Sequence, residues 1–144
     1  MGLDMYLTKE IELSDKDREK LEIKGIDGID ESKVEIITEE VGYWRKTNAI
    51  HNWFVQNVQE GKDDCGKYFV DKNDIKKLLD IIKTILTDNS KNEELLPSMK
   101  GFFFGDTDYD EIYFNGLKGT KTMLEEILKK NDFDKFTYYY QSSW

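Results

Sequence analysis

Apolar and polar positions separate several elements along the chain. Met5-Tyr6-Leu7-Thr8 gathers aromatic and β-branched types and reads as a short strand. From Lys9 to Lys24 both charge signs crowd together, with Ile11, Leu13, Leu21 and Ile23 in weak alternation, which predicts an exposed arm, a hairpin or a short helix. Gly25 and Gly28, each close to an Asp, mark turns. Val34-Glu35-Ile36-Ile37 is a second strand candidate. After a break at Gly42, the segment Glu39 to Gln59 predicts a helix. At about 100° per residue, Tyr43, Thr47, Ile50, Phe54 and Val58 share one stripe, with Trp44, His51 and Val55 beside it and Arg45, Asn52 and Gln56 opposite. Gly61 is the natural place for that helix to end.

Asp63-Asp64-Cys65-Gly66 reads as a turn and Tyr68-Phe69-Val70 as a short extended run. Asp71 caps a second helix, with Asp74 in its first turn and Ile75, Leu78, Leu79, Ile82, Ile85 and Leu86 on one packing face. Asp88 to Glu94 is polar loop, and Pro97 stops any helix before Gly101. Gly101-Phe102-Phe103-Phe104-Gly105 predicts a buried strand or a close-packed turn. A third helix covers about Leu117 to Lys130, with Leu117, Leu124, Ile127 and Leu128 on its apolar face. Phe136-Thr137-Tyr138-Tyr139-Tyr140 is a strong strand signal, and Trp144 is expected to dock, against the N-terminal strand, because an indole is costly to leave in water. The sum is an α+β fold: about three helices packed on a small mixed sheet formed by both chain ends. Residues 1–144 are expected to form a single domain, with a charged arm or insertion at about 9–33.

Charge and composition narrow the setting. The formal net charge of −9 opposes non-specific nucleic-acid binding and attachment to an anionic membrane. No stretch approaches the about 18 apolar residues of a membrane span, and the first residues lack the basic start and apolar run of a signal peptide. The lone Cys65 cannot form an internal disulfide and suits a reducing compartment, so the expected location is the cytoplasm. Among the basic residues only Arg18 and Arg45 are arginines, and Arg45, in an aromatic segment, is the better candidate for a bidentate anion contact.

Three constellations could carry chemistry. Tyr43-Trp44-Arg45-Lys46 with Asn48, His51, Asn52 and Trp53 could cradle a flat, hydrogen-bonding ligand such as a nucleobase, the rings stacking and Arg45 meeting phosphate; the plainer reading is a core helix with a solvated Arg. His51 is the single histidine, so a scheme of His-based acid–base chemistry must use it. Asp106-Thr107-Asp108-Tyr109-Asp110-Glu111 alternates carboxylates, yet the calcium-loop template fails, since Glu111 stands where Gly is needed and Leu117 where Glu is needed. It reads as a solvated acidic loop or as acceptors for a ligand's hydroxyls and amines. Cys65, beside Asp63 and Asp64, is a poor nucleophile because neighbouring negative charge disfavours the thiolate. No phosphate-binding loop, dinucleotide fingerprint, serine elbow or zinc motif is present.

Met1-Gly2-Leu3-Asp4-Met5-Tyr6-Leu7, Val41-Gly42-Tyr43-Trp44-Arg45-Lys46, Asn48-Ala49-Ile50-His51, Trp53-Phe54-Val55, Asp63-Asp64-Cys65-Gly66, Gly101-Phe102-Phe103-Phe104-Gly105 and Ser142-Ser143-Trp144 together resemble a family of small uncharacterised proteins from bacteriophages and prophages. Some members carry a phosphoglycerate-kinase label, which this chain does not fit: it is too short for a two-lobed kinase. The resemblance implies a phage protein in the cytoplasm of a bacterial host. By analogy of setting, it implies a protein that evades host immunity by sequestering a nucleotide signal. The expected function is non-catalytic binding of a small nucleotide-like ligand by a homo-oligomer, without a cofactor or metal. The expected ligand-binding residues are Tyr43, Trp44, Arg45, Asn48, His51, Phe104, Asp106, Thr107, Asp108 and Tyr109. The alternatives are a small hydrolase or transferase using His51 with Asp106, Asp108 or Asp110, and an acidic inhibitor of a basic host protein.

Overall fold

A computed structural model describes residues 2–23, 25–101 and 104–144; Met1, Lys24, Phe102 and Phe103 lie outside the described residues, and with them the middle of the expected Phe-rich run. The strands are β1 (Asp4–Glu12), β2 (Ile36–Arg45), β3 (Tyr68–Val70) and β4 (Thr137–Ser143). The helices are α1 (Asp15–Lys20), α2 (Asn48–Asn57), α3 (Lys72–Thr87), the single turn α4 (Asn92–Leu95) and α5 (Glu111–Lys130). The fold is α+β. The sheet order is β2-β1-β4-β3, and all three pairings are antiparallel, so the sheet is not mixed. Both chain ends do meet in it: Asp4 lies opposite Ser143 and Leu7 opposite Tyr140.

Alternation along β1 turns Leu3, Met5 and Leu7 onto one face, where they are fully buried. Trp44, Tyr138 and Tyr140 join them from the neighbouring strands. Against that face pack Ile50, Trp53 and Phe54 of α2, the periodic Ile75, Leu78, Leu79, Ile82 and Ile85 of α3, and Leu117, Leu124 and Ile127 of α5. Phe54 stacks on Tyr140 at 3.9 Å between ring centroids.

Three expectations about elements change, the smallest being that the polar stretch Asp88 to Glu94 is not all loop but runs into α4. Residues 39–45 form strand, not helix. They belong to β2, which pairs with β1 from Arg45 opposite Asp4 to Ile36 opposite Glu12, with an irregularity at Leu7/Thr8. Tyr43 and Thr47, four residues apart, share a side under either period, and pairing with a buried central strand decides for the period of two up to Arg45. Gly42 is therefore not a helix break. A Cβ there would lie 2.5 Å from Met123 Sδ and 3.3 Å from Leu7 Cβ, so the glycine lets α5 lie close on β2.

The last helix also starts earlier than Leu117. Asp110 caps it, its carboxylate accepting from the Ile112 and Tyr113 amides. Gly116 and Gly119 weaken the helical pattern there without stopping it.

The charged stretch after Thr8 divides into two parts. Residues 9–12 continue β1, and Lys9 is buried, with its ammonium 2.8 Å from Asp132. The excursion that follows carries α1, which buries no residue and is held by a Ser14–Asp17 capping box, and it returns to the sheet where the Leu13 amide meets the Glu35 carbonyl. Among the described residues no helix is long and apolar enough to cross a membrane.

Candidate functional site

A cavity of about 300 Å³ lies where two distant segments meet. One is the corner between β2 and α2, Arg45 to Ala49; the other runs from Ser98 through Gly105, Asp106, Asp108 and Asp110 into α5, where Ile112, Tyr113 and Leu117 complete the lining. At the corner, Lys46 adopts a positive φ of 54° and its amide is held by the Leu3 carbonyl at 2.7 Å, which ends the strand and starts the helix. Gly105, with φ of 86°, lets the second segment approach: a Cβ there would lie 3.0 Å from Lys46 Cβ.

Asn48 joins the two segments. Its side-chain amide donates to the Phe104 carbonyl at 3.2 Å and the Asp106 carbonyl at 2.7 Å, and its Oδ1 accepts from the Met99 amide at 2.9 Å. Tyr113 donates to the Leu96 carbonyl at 2.8 Å, and Tyr109 accepts from the Ser98 amide at 3.1 Å. Burial, and then the neighbouring Tyr109, push the Tyr113 phenol well above its ordinary range, so it stays protonated and keeps donating.

The charges of this cavity are arranged by segment. Arg45 and Lys46 are exposed and make no ion pair among the described residues. They flank the first turn of α2, whose preceding Thr47 does not cap it: the hydroxyl bonds back to the Arg45 carbonyl at 3.2 Å. Positive charge and free helical amides thus coincide at this corner. The second segment is acidic. Asp106 uses one carboxylate oxygen on the Asp108 amide and Asp110 uses one on α5, whereas the Asp108 carboxylate makes no hydrogen bond or ion pair among the described residues. Among the described residues no group of three or more His, Cys, Asp or Glu side chains is placed to hold a metal ion.

The expected site residues divide accordingly. Arg45, Asn48, Asp106 and Asp108 line this cavity; Tyr43, Trp44, His51, Phe104, Thr107 and Tyr109 do not. Trp44 is a correction. It is 5% exposed and its indole donates to Thr120 Oγ1 at 2.8 Å, so no open face remains for stacking. Tyr43, its neighbour on a strand, points to the other side of the sheet, 44% exposed, where it pairs with Tyr6 and donates to Asp4 at 2.5 Å.

His51 is the second correction. It is fully buried, with Nδ1 2.6 Å from the Tyr140 hydroxyl and Nε2 3.0 Å from Asp63 Oδ1. A carboxylate only accepts, so Nε2 carries the proton and the Tyr140 hydroxyl donates to Nδ1. Burial lowers the His51 pKa against the opposing pull of Asp63, which favours the neutral ring. The structure therefore does not bring His51 together with Asp106, Asp108 or Asp110. Asp63 Oδ1 also accepts from the Trp144 indole at 3.0 Å, and Trp144 and His51 each make an edge-on contact with Phe104, at 5.9 and 5.2 Å between ring centroids. Trp144 docks, but on Asp63 and Phe104 and not on the N-terminal strand, and the ring stays 47% exposed.

Thr47, Ala49, Ile112, Tyr113 and Leu117 line the cavity without having been singled out as binding residues, and Lys46, named only as a member of the first constellation, joins them. Nothing local marks the α5 residues. No protein-family model, curated protein or solved structure matches the chain.

Proposed function

We propose that this protein is a non-catalytic binder of a small nucleotide-like ligand, held in the cavity between the β2–α2 corner and the start of α5. The observation that carries the reading is the corner itself: two cations without ion-pair partners among the described residues, next to a helical first turn without a side-chain cap, at the mouth of a partly apolar hollow. Arg45 meets a phosphate, Ala49, Ile112 and Leu117 cover a flat ring, and the acidic segment accepts from its donors. Tyr43, Trp44 and His51 have no part in it. With His51 engaged at both nitrogens in the core, acid–base turnover through that residue finds no support. The resemblance to phage proteins supplies a setting, sequestration of a host signal, which needs affinity and no turnover.

Calorimetric titration with nucleoside mono-, di- and triphosphates tests this reading. Binding that Arg45→Ala weakens, with the nucleotide recovered intact by chromatography, supports it. Recovery of a cleaved nucleotide moves the protein to the enzymes, and silence across the panel rejects the reading.

A further inference from the structure

The cavity is small and its two lining segments carry opposite charge, and these two facts restrict the occupant further. Resting on the binding reading above, we propose that the ligand is a single mononucleotide-sized molecule with one anionic group and an amino-bearing ring, in the manner of adenosine, cytidine or guanosine monophosphate.

Size is the first argument. A volume of about 300 Å³ stands at the lower end of the range for ligand pockets, about 300–1,000 Å³, and matches one nucleotide unit, so that a second would extend out of the cavity. Charge is the second. Arg45 and Lys46 can satisfy one phosphate, but Asp106, Asp108 and Asp110 line the same hollow. Each further phosphate would come to lie beside these exposed carboxylates, where like-charge repulsion opposes it. The carboxylates instead call for donors. The Asp108 carboxylate and the second oxygen of Asp106 make no hydrogen bond or ion pair among the described residues, so an exocyclic amine can donate to either. A ring without that amine leaves those exposed carboxylate oxygens to water and forgoes the hydrogen bond. Apolar Ala49, Ile112 and Leu117 and the Tyr113 ring give the flat part of the molecule its contact.

The experiment is calorimetry at one fixed ionic strength. Its probes are adenosine, cytidine, guanosine, uridine and inosine monophosphates, adenosine triphosphate and a cyclic dinucleotide, each on the native chain and on Asp108→Asn. The expected result is one site per chain, with an amino-bearing monophosphate tighter than uridine or inosine monophosphate, than the triphosphate and than the dinucleotide by about tenfold or more. Asp108→Asn should narrow the gap to the triphosphate. A triphosphate or dinucleotide that binds as tightly as every monophosphate, through Arg45, overturns this inference and leaves the binding reading standing; so does indifference to the exocyclic amine. Absence of binding by every probe at millimolar concentration overturns both.

Discussion

The side-chain amide of Asn48 donates to the main-chain carbonyl of Asp106 across 2.7 Å and thereby ties the first turn of α2 to the acidic segment. The same side chain serves the Phe104 carbonyl and the Met99 amide, so one buried amide satisfies three main-chain groups of the segment before α5. Asn48→Ala is expected to destabilise the protein by about 1–3 kcal/mol, because those groups lose their partner where water is scarce. Urea denaturation measures it. Amide exchange should show the loss of protection concentrated at Met99 and along residues 104–106, with α3 little changed.

Arg45 has the opposite profile. It is exposed and outside the core, so Arg45→Ala should leave stability within about 0.5 kcal/mol. If the proposed contact with phosphate exists, the same variant weakens nucleotide binding by about tenfold to a hundredfold, the range for a charge-assisted hydrogen bond. Parallel denaturation and titration separate the two effects.

His51 predicts a pH dependence whose sign follows from its burial. Its folded pKa lies below the ordinary 6.5, since burial penalises the charged ring more than Asp63 favours it. The unfolded chain therefore binds the proton more readily, and stability rises with pH through the interval between the two values. Stability should be full above about pH 6.5 and should fall as the pH drops below it, levelling off once the folded ring also protonates. Denaturant midpoints from about pH 5 to 8 should show that slope, and His51→Gln should flatten it. The variant should also be less stable at neutral pH, because the Tyr140 hydroxyl loses its acceptor.

Lys9 and Asp132 form a largely buried pair, with the Tyr138 hydroxyl on the other carboxylate oxygen at 2.6 Å. Burial alone would raise the Asp132 pKa, but the hydrogen bonds from Lys9 and Tyr138 outweigh it and hold the carboxyl below its ordinary range. The contribution is thus present above the unfolded carboxyl's pKa and is lost as the pH falls through the lower folded value. Lys9→Met should cost about 1–3 kcal/mol at neutral pH, and the cost should shrink in acid. A stability profile unchanged by the substitution would contradict the pairing.

Gly42 and Met123 make a close-packing test of the β2 assignment. Gly42→Ala should cost about 1–2 kcal/mol through overpacking against Met123 and Leu7, and Met123→Ala should relieve part of that cost in the double variant. A helical segment at this position would tolerate or prefer the alanine.

Much of the architecture was legible because it is local. The α3 stripe from Ile75 to Ile85, the Tyr138–Tyr140 alternation and the Asp71 cap each follow from a period or a side-chain type over a few residues. Even the meeting of the chain ends follows from two apolar strands that need each other's edges. What remained ambiguous was the stretch from Glu39 to Thr47. A short apolar run has no period long enough to choose between helix and strand, and hydrogen bonding to β1, far away in sequence order, made the choice.

That choice redistributed the candidate site. On a helix, Tyr43 and Trp44 would flank a common face; on β2 they leave the sheet on opposite sides, one toward solvent and one into the core. The sequence by itself determined which residues carry charge, rings and hydrogen-bonding groups, and the periodic faces that bury the core. Only tertiary structure decided that Asp63, Tyr140 and His51 satisfy one another and that residues 45–49 line a hollow together with Ser98 and with residues between Gly105 and Leu117. Both are contacts between segments distant along the chain, whose proximity is set by the packing of whole elements, and no local pattern encodes it.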